Sequence, residues 1–202
     1  MTTAALTALS LAPTGCTAGP LPTPNPPAPS PSPSSPGVRI GAASSLCPLP
    51  VSFEREARWK PEVTKPIGDD KIDAMFRQGT LDIRCELNAA PAGHTGFLRV
   101  YVPSPETTRD TPARAALTAF VADEKITGTP RYTTPRLSGI ADSAEVTYTA
   151  TNDILGDKPE RALAVTTPQG PAILHLGGLD AAEHTAMLPA YERAKRTMRV
   201  EG

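Results

Sequence analysis

The sequence predicts one α+β domain over residues 38–202, in which a central antiparallel sheet is flanked by helices, preceded by a disordered proline-rich tail. Three observations support this prediction. Segments with an apolar residue at every second position indicate strands joined by short turns. Two segments, beginning near 112 and 180, carry apolar residues three and four apart, which is typical of amphipathic helices. The region before 38 is rich in proline, serine and threonine.

The domain is predicted to begin with a strand, a turn and a short helix. Residues 49–53 are interpreted as the strand, and 59–61 as a turn closed by an aromatic plug. Residues 68–78 predict the helix, because apolar residues recur there at helical spacing. The face expected to be buried comprises Ile72, Met75 and Phe76.

The clearest strands are 81–87 and 96–102. In the first of them, apolar residues alternate with Asp82, Arg84 and Glu86, so a single buried face is expected, with Cys85 pointing inward. Because a short turn at 91–94 separates the two strands, they are predicted to form an antiparallel hairpin.

A long helix is predicted next, with Thr111 as its N-cap and Pro112 at its first position. Strands at 130–134 and 144–151 follow it. A hairpin of strands 161–167 and 172–176 then turns at 168–170, and its apolar composition predicts a central place in the sheet.

The final helix is predicted to begin at Asp180, with Glu183 at the spacing of a capping box. Pro189 removes a backbone donor, so a kink or break is expected after Met187. Four cations near its end are interpreted as a solvated face; an anionic wall polymer or phospholipid headgroup is the alternative contact. These cations are Arg193, Lys195, Arg196 and Arg199.

Residues 1–16 are interpreted as an export signal that ends in a lipidation site. An apolar run from 4 to 12 leads to Gly15 and Cys16, and a small residue before a cysteine is what lipoprotein processing requires. A thioether-linked diacylglycerol on Cys16, with acyl chains such as palmitate, anchors a protein stably because two chains insert. The alternative is an ordinary cysteine in an unstructured leader. Since no basic residue precedes the run, the true start codon is left open.

Residues 17–37 are predicted to form a disordered tether. Proline occupies about every second position from Pro20 to Pro36. It fixes φ and lacks an N–H, so helix and sheet are excluded. Such a segment extends by about 3.1 Å per residue and acts as a semi-rigid spacer. A ligand for a proline-binding domain is the less favoured interpretation.

Composition limits the classes of partner. The net charge is −1, from 20 basic and 21 acidic residues, which gives no electrostatic reason to expect nucleic acid as a partner. Aromatic residues make up 4% of the chain, which weakens the case for a carbohydrate-stacking surface.

Three cysteines are present. If Cys16 carries lipid, Cys47 and Cys85 remain as a pair in an oxidising compartment, and a disulfide between them is predicted. Two buried free thiols are the alternative. A metal site is less favoured, because no CxxC or paired histidine lies nearby.

Several short motifs resemble a group of small actinobacterial secreted lipoproteins, related to the LpqN/LpqT type with a Mog1/PsbP-like domain. The resemblance implies the same central antiparallel sheet flanked by helices, no established reaction and no active-site residues. Homologues of that fold act mainly as binding or assembly factors, which is an analogy of topology. The motifs are Cys-Pro-Leu-Pro at 47–50, Trp-Lys-Pro at 59–61, Cys-Glu at 85–86, Gly-Phe-Leu-Arg-Val at 96–100 and Gly-Gly-Leu-Asp at 177–180.

No catalytic, cofactor-binding or metal-binding residues are predicted, because no nucleophile elbow, zinc-protease motif, P-loop or dinucleotide fingerprint is present. The histidines His94, His175 and His184 are scattered along the chain. The acidic residues from Asp69 to Asp73 are interpreted as helix caps rather than calcium ligands. Residues 151–153 and 157–158 mark a loop that suits either a ligand or ordinary turn chemistry.

The sequence therefore predicts an extracytoplasmic lipoprotein anchored to the outer face of the cell membrane through its N-terminal lipid. Its domain is expected to be a non-enzymatic binding or assembly module for an envelope protein or a small ligand. The alternative is an envelope hydrolase with a non-motif site, which would require a deep pocket of titratable groups, with His175 beside a carboxylate.

Overall fold

The computed structural model describes residues 37–65, 67–104, 109–154 and 156–202. Cys16 and almost all of the predicted tether lie outside these ranges. The described residues belong to one compact unit, 34–202. Its strands are β1 (Val38–Ile40), β2 (Val51–Arg55), β3 (Lys60–Val63), β4 (Arg77–Gln78), β5 (Leu81–Asn88), β6 (Gly96–Pro103), β7 (Ile126–Thr133), β8 (Ser143–Asn152), β9 (Gly156–Thr167), β10 (Gly170–Gly178) and β11 (Arg199–Val200). Its helices are α1 (Asp70–Asp73), α2 (Ala113–Ala122) and α3 (Ala181–Thr197), with 3₁₀ turns at Ala74–Phe76 and Ala90–Ala92.

The central element is an antiparallel sheet of eight strands among the described residues. Its order is β3-β5-β6-β10-β9-β8-β7, and the two-residue strand β4 also pairs with β5. The predicted hairpins β5–β6 and β9–β10 are both present. A second sheet has the order β1-β2-β11, which brings the start of the domain and the segment after α3 together on β2.

Helices cover both faces of the central sheet. On one face, α3 and the small sheet bury a core that includes Trp59, Phe53 and Tyr191. On the other face, α2 buries Leu117 and Phe120 against the sheet. The predicted α+β class with a flanked antiparallel sheet is therefore confirmed.

A β-bulge in β5 corrects one prediction. The pairing of Ile83 with Tyr101 is followed by that of Cys85 with Val100, so Arg84 is the extra residue. The strict alternation of β5 predicts one buried face, whereas the bulge exchanges the two faces midway. Leu81 and Ile83 therefore pack beneath α2, while Cys85 and Leu87 lie in the core beneath α3. The first pair contacts the core that includes Phe120, and the second pair contacts the core that includes Tyr191.

The first predicted strand and turn are shifted in the structure. The strand is β2, Val51–Arg55, and it belongs to the small sheet. Trp59 is buried, as expected of an aromatic plug. The residues that follow it form β3 and not a turn, because β3 pairs with β5 along the edge of the central sheet. Pro61 is tolerated there, since an edge strand leaves one row of N–H groups unpaired.

The predicted helix over 68–78 is wrong in length and in burial. Only the four residues of α1 and one 3₁₀ turn are helical, and Met75 is 77% exposed. A helix this short cannot stabilise itself without packing. Pairing of β4 with β5 fixes the end of the segment at the sheet edge, so its apolar side chains have no core to enter.

The caps of the two long helices differ. The N-cap of α2 is Pro112 and not Thr111, and the Ala113 N–H donates to the carboxylate of Asp142, 29 residues away. Asp180 caps α3 as predicted, accepting from the N–H groups of Ala182 and Glu183.

Helix α3 runs through Pro189, so the predicted break is wrong. Met187 and Tyr191 are buried on either side of the proline. Their packing on the sheet offsets the loss of one helical hydrogen bond.

Candidate functional site

A cleft of about 540 Å³ opens where the loop between β1 and β2 meets the end of the β5–β6 hairpin. We call it the Arg84 cleft. Its walls combine apolar groups, mainly prolines, with two arginines. The lining residues are Ala43, Pro48, Leu49, Pro50, Arg84, Val102, Pro103, Ser104, Arg109, Gln169, Glu201 and Gly202.

The disulfide between Cys47 and Cys85 builds this cleft. The predicted pairing is present, and both cysteines are buried. Cys47 directly precedes the cleft-lining Pro48, and Cys85 directly follows Arg84. The bridge therefore holds the loop that forms one wall against the strand that forms the other.

Two arginines supply the positive charge of the cleft, whose lining also includes Glu201. Arg84 is the bulged residue of β5 and is half-buried, while Arg109 is exposed. Neither side chain makes a hydrogen bond or ion pair with any part of the chain that the structure describes. A bulge re-aims a side chain relative to a regular strand, and this one directs Arg84 to the cleft.

Gly170 allows Arg109 to approach the sheet. Its φ is +105°, which suits glycine, and a Cβ there would lie 2.7 Å from the Pro103 Cγ and 3.4 Å from the Arg109 Cα. The chain at Arg109 therefore packs directly on the β9–β10 turn. Sequence reasoning identified that turn but gave no signal that a distant arginine would sit on it.

A second constellation lies on the sheet beneath α2. His175 Nε2 is 2.6 Å from Glu160 Oε2, and the Tyr148 hydroxyl donates to the same oxygen at 3.1 Å. Lys158 forms an ion pair with the other oxygen of Glu160. His175 is 4% exposed and Glu160 is 3% exposed. We call these four residues the Glu160 cluster.

The cluster shifts the ionisation of its members. Burial alone would raise the pKa of Glu160, but the charge of His175, its hydrogen bond and Lys158 together lower it to about 2. Burial, followed by the negative charges of Glu160 and Glu124, raises the pKa of Tyr148 far above its usual range. Burial also raises the pKa of the neighbouring Tyr101 to about 12. Glu160 is therefore the anion of the cluster, and both tyrosines stay neutral.

The end of α2 closes over this cluster. The Phe120 ring lies 5.3 Å from the His175 ring. The Gln78 amide donates to the Phe120 carbonyl and to the carboxylate of Glu124. Burial, followed by the negative charge of Glu160, raises the pKa of Glu124. Neither Gln78 nor Glu124 stood out in the sequence, because only the fold brings them to this place.

Chemically, the cluster contains a carboxylate–imidazole pair of the kind that orients a general base. His175 Nδ1 is buried and has no hydrogen-bond partner. The hydroxyl that contacts His175 Nε2 is that of Tyr148, at 3.3 Å. Within the ranges that the structure describes, no serine, threonine or cysteine forms a hydrogen bond with this imidazole, so a conventional activated nucleophile is missing there.

The other two histidines serve separate elements. His94, after the 3₁₀ turn at Ala90–Ala92, lies 3.3 Å from the carboxylate of Glu183 in α3. His184 is buried in α3, and burial lowers its pKa. Throughout 37–202, apart from the undescribed positions, no three His, Cys, Asp or Glu side chains gather as metal ligands.

The acidic segment near α1 has the capping role predicted for it. Asp69 accepts from the backbone N–H groups of Lys71 and Ile72. Asp73 accepts from those of Ile67 and Gly68. Each of these hydrogen bonds joins a carboxylate to a backbone N–H within six residues in the sequence.

The predicted 151–158 loop is in fact mostly strand. β8 extends to Asn152 and β9 begins at Gly156, so the segment is the end of a hairpin. Thr151 donates to Asp157, and Lys125 pairs with Asp153. These contacts are ordinary hairpin chemistry.

The basic face of α3 is less solvated than expected. Lys195 pairs with both Glu145 and Glu192, and Arg193 lies 3.7 Å from Glu56. Arg196 and Arg199 are exposed, as predicted. The sheet supplies Glu145 from β8, a partner that helix periodicity alone cannot reveal.

Residues 19–198 match the protein family Lipoprotein_23, which is described as an uncharacterised lipoprotein. The chain belongs to this family. Membership supports the prediction that the protein is exported and anchored to a membrane outside the cytoplasm. It does not indicate the role of the protein. No curated protein matches the sequence. Of the helices that the structure describes, none is sufficiently long and apolar to span a bilayer. The similarity to the LpqN/LpqT type and to a Mog1/PsbP-like domain stays a prediction.

Proposed function

We propose that this lipoprotein is held on the outer face of the cell membrane by lipid on Cys16 and displays a non-enzymatic binding domain. Family membership, the Gly15-Cys16 pair and the proline-rich segment behind it support the location. A Mog1/PsbP-like relationship, as in LpqN/LpqT-type lipoproteins, is part of this proposal, and the flanked antiparallel sheet agrees with it.

The Arg84 cleft is the observation that carries the binding role. Ligand sites usually have volumes of roughly 300–1,000 Å³ and combine an apolar lining with a few polar groups. A volume of about 540 Å³ and the mixture of prolines, Leu49, Val102 and two arginines fit that description. The cleft is also bounded by a disulfide, which reduces the conformational cost of binding.

Filling the cleft tests this proposal. In Ala43→Trp, an indole would occupy the cleft without removing a packed side chain, because Ala43 is exposed. The matched control is Ser44→Trp, an exposed neighbour that does not line the cleft. We expect native mass spectrometry of the lipoprotein from its own membranes to show a bound ligand in wild type and in the control. The ligand should be lost in Ala43→Trp. Its equal retention in all three proteins would refute a role for the cleft.

Anchoring is tested at Cys16. The mature protein extracted from membranes should begin at Cys16 and carry a diacylglycerol mass, and Cys16→Ser should move it out of the membrane fraction, because two acyl chains provide the affinity. An unmodified Cys16 in wild type recovered from the cytosol would contradict the proposal.

An envelope hydrolase is the second candidate, favoured by the pairing of His175 with Glu160. The sequence predicts that a hydrolase would need a carboxylate beside His175, and Glu160 is in that position. Binding is preferred, since the pair is buried and the neighbouring hydroxyl belongs to Tyr148, whose raised pKa opposes its use as a nucleophile. An assembly role would appear as a stoichiometric protein partner in the same membrane extracts.

A further inference from the structure

We infer that the Arg84 cleft takes an anionic amphiphile, with an acidic head at the arginines and a short aliphatic body over the apolar wall. This inference rests on the proposed binding function and names the chemical class of the ligand.

The two arginines of the cleft select an anion, because neither has a partner among the described residues. Arg84 is half-buried, and a cation removed from water without a partner is costly. Its guanidinium and that of Arg109 make no contact with an anion within the described ranges. Glu201 also lines the cleft, but it lies beyond ion-pair distance of both and is placed through its backbone N–H, which donates to Pro50. A bound carboxylate or phosphate would supply the missing partner, because arginine offers several donors to such groups.

The wall of the cleft selects an aliphatic body. Leu49 and Val102 form part of it, and three prolines present ring carbons and no backbone donor. Among the described residues that line it, none has an aromatic side chain. Stacking of a nucleobase or sugar ring is therefore less favoured than contact with an acyl chain. The proline lining residues are Pro48, Pro50 and Pro103.

The cleft is held in shape before any ligand binds. The disulfide joins its two walls, and a backbone hydrogen bond from Leu49 to Gly41 closes the loop. The close contact of Gly170 with Pro103 and Arg109 fixes the far side. A preformed site of this kind favours a small ligand that enters without rearrangement.

Isothermal titration of the full 202-residue chain tests the inference with three probes, namely decanoate, decanol and inorganic phosphate. We expect decanoate to bind with one-to-one stoichiometry and the other two to bind at least about tenfold more weakly. Arg84→Gln and Arg109→Gln should each weaken decanoate about tenfold, while Glu201→Gln should tighten it by removing a competing carboxylate. Arg131→Gln, at an exposed arginine of β7, is the control and should change nothing.

Several results would overturn the inference. Decanol that binds as tightly as decanoate would refute the acidic head yet leave the cleft a binding site. Phosphate that binds as tightly as decanoate would refute the aliphatic body. The thermal unfolding midpoint of each variant shows whether weaker binding is caused by misfolding. If Arg84→Gln unfolds, Arg109→Gln serves as the second variant, because Arg109 is exposed. If no probe binds while Ala43→Trp still removes the native ligand, only the ligand class fails.

Discussion

Cys85→Ser is expected to lower the free energy of unfolding by about 4 kcal/mol. The bridge spans 38 residues, and loop-closure entropy assigns about that value to a loop of this length. Since natural domains are stable by about 5–15 kcal/mol, the loss is a large part of the total. Denaturant unfolding followed by circular dichroism measures it directly.

The same variant should also open the Arg84 cleft. Without the bridge, the wall containing Pro48 and Leu49 is joined to the strand of Arg84 by weaker contacts. Cys47 should then react with an alkylating reagent under non-reducing conditions, whereas wild-type Cys47 should not. The double variant Cys47→Ala with Cys85→Ala is the control, because it removes the bridge without leaving a thiol at position 47 or 85. Alkylation of both Cys47 and Cys85 in the wild-type protein would show that the bridge does not form in solution.

Glu160→Gln is expected to lower the free energy of unfolding by about 3 kcal/mol. Removing one member of a buried ion pair typically costs about 3–5 kcal/mol, since its partner is left as an uncompensated charge. The lower end of that range is expected, because Lys158 retains some exposure and can turn to water. Glu62→Gln removes the exposed Lys60–Glu62 pair and should change stability by less than about 0.5 kcal/mol.

Glu160 also predicts the direction of a pH dependence. Its folded pKa of about 2 lies below the ordinary value of 4.5, so ionised Glu160 stabilises the native state above that ordinary value. This contribution, about 3 kcal/mol, should be lost as pH falls from about 5 towards 2. In unfolding measurements across that range, the loss of stability with falling pH should be larger in wild type than in Glu160→Gln by about this amount. Parallel curves would contradict the assignment of Glu160 as the buried anion.

Glu160→Gln additionally separates the two candidate functions. If the protein is a binding module, a folded Glu160→Gln variant should retain its ligand in the Arg84 cleft, which lies apart from the cluster. If wild type cleaves ester substrates and Glu160→Gln abolishes that cleavage while remaining folded, the hydrolase proposal replaces the binding proposal.

Local sequence patterns were sufficient to predict much of the fold. The hairpins at β5–β6 and β9–β10, the α2 stripe and the Asp180 cap of α3 depend on residues close in sequence. Their signals are period two, period 3.6 and capping chemistry, all of which arise from backbone geometry. The Cys47–Cys85 bridge was predicted because lipid on Cys16 leaves an even pair of cysteines, and because an exported domain lies in an oxidising compartment.

The sequence by itself therefore determined the fold class, the sulfur pairing and most of the element order. Tertiary structure alone decided that Arg84 forms a bulge in β5, that Asp142 caps α2, and that 68–78 stays on the surface. It also decided that Glu160 meets His175 and that Arg109 reaches the cleft. These contacts join residues that are distant in the chain, and their free energies depend on burial and pairing, which local periodicity does not encode.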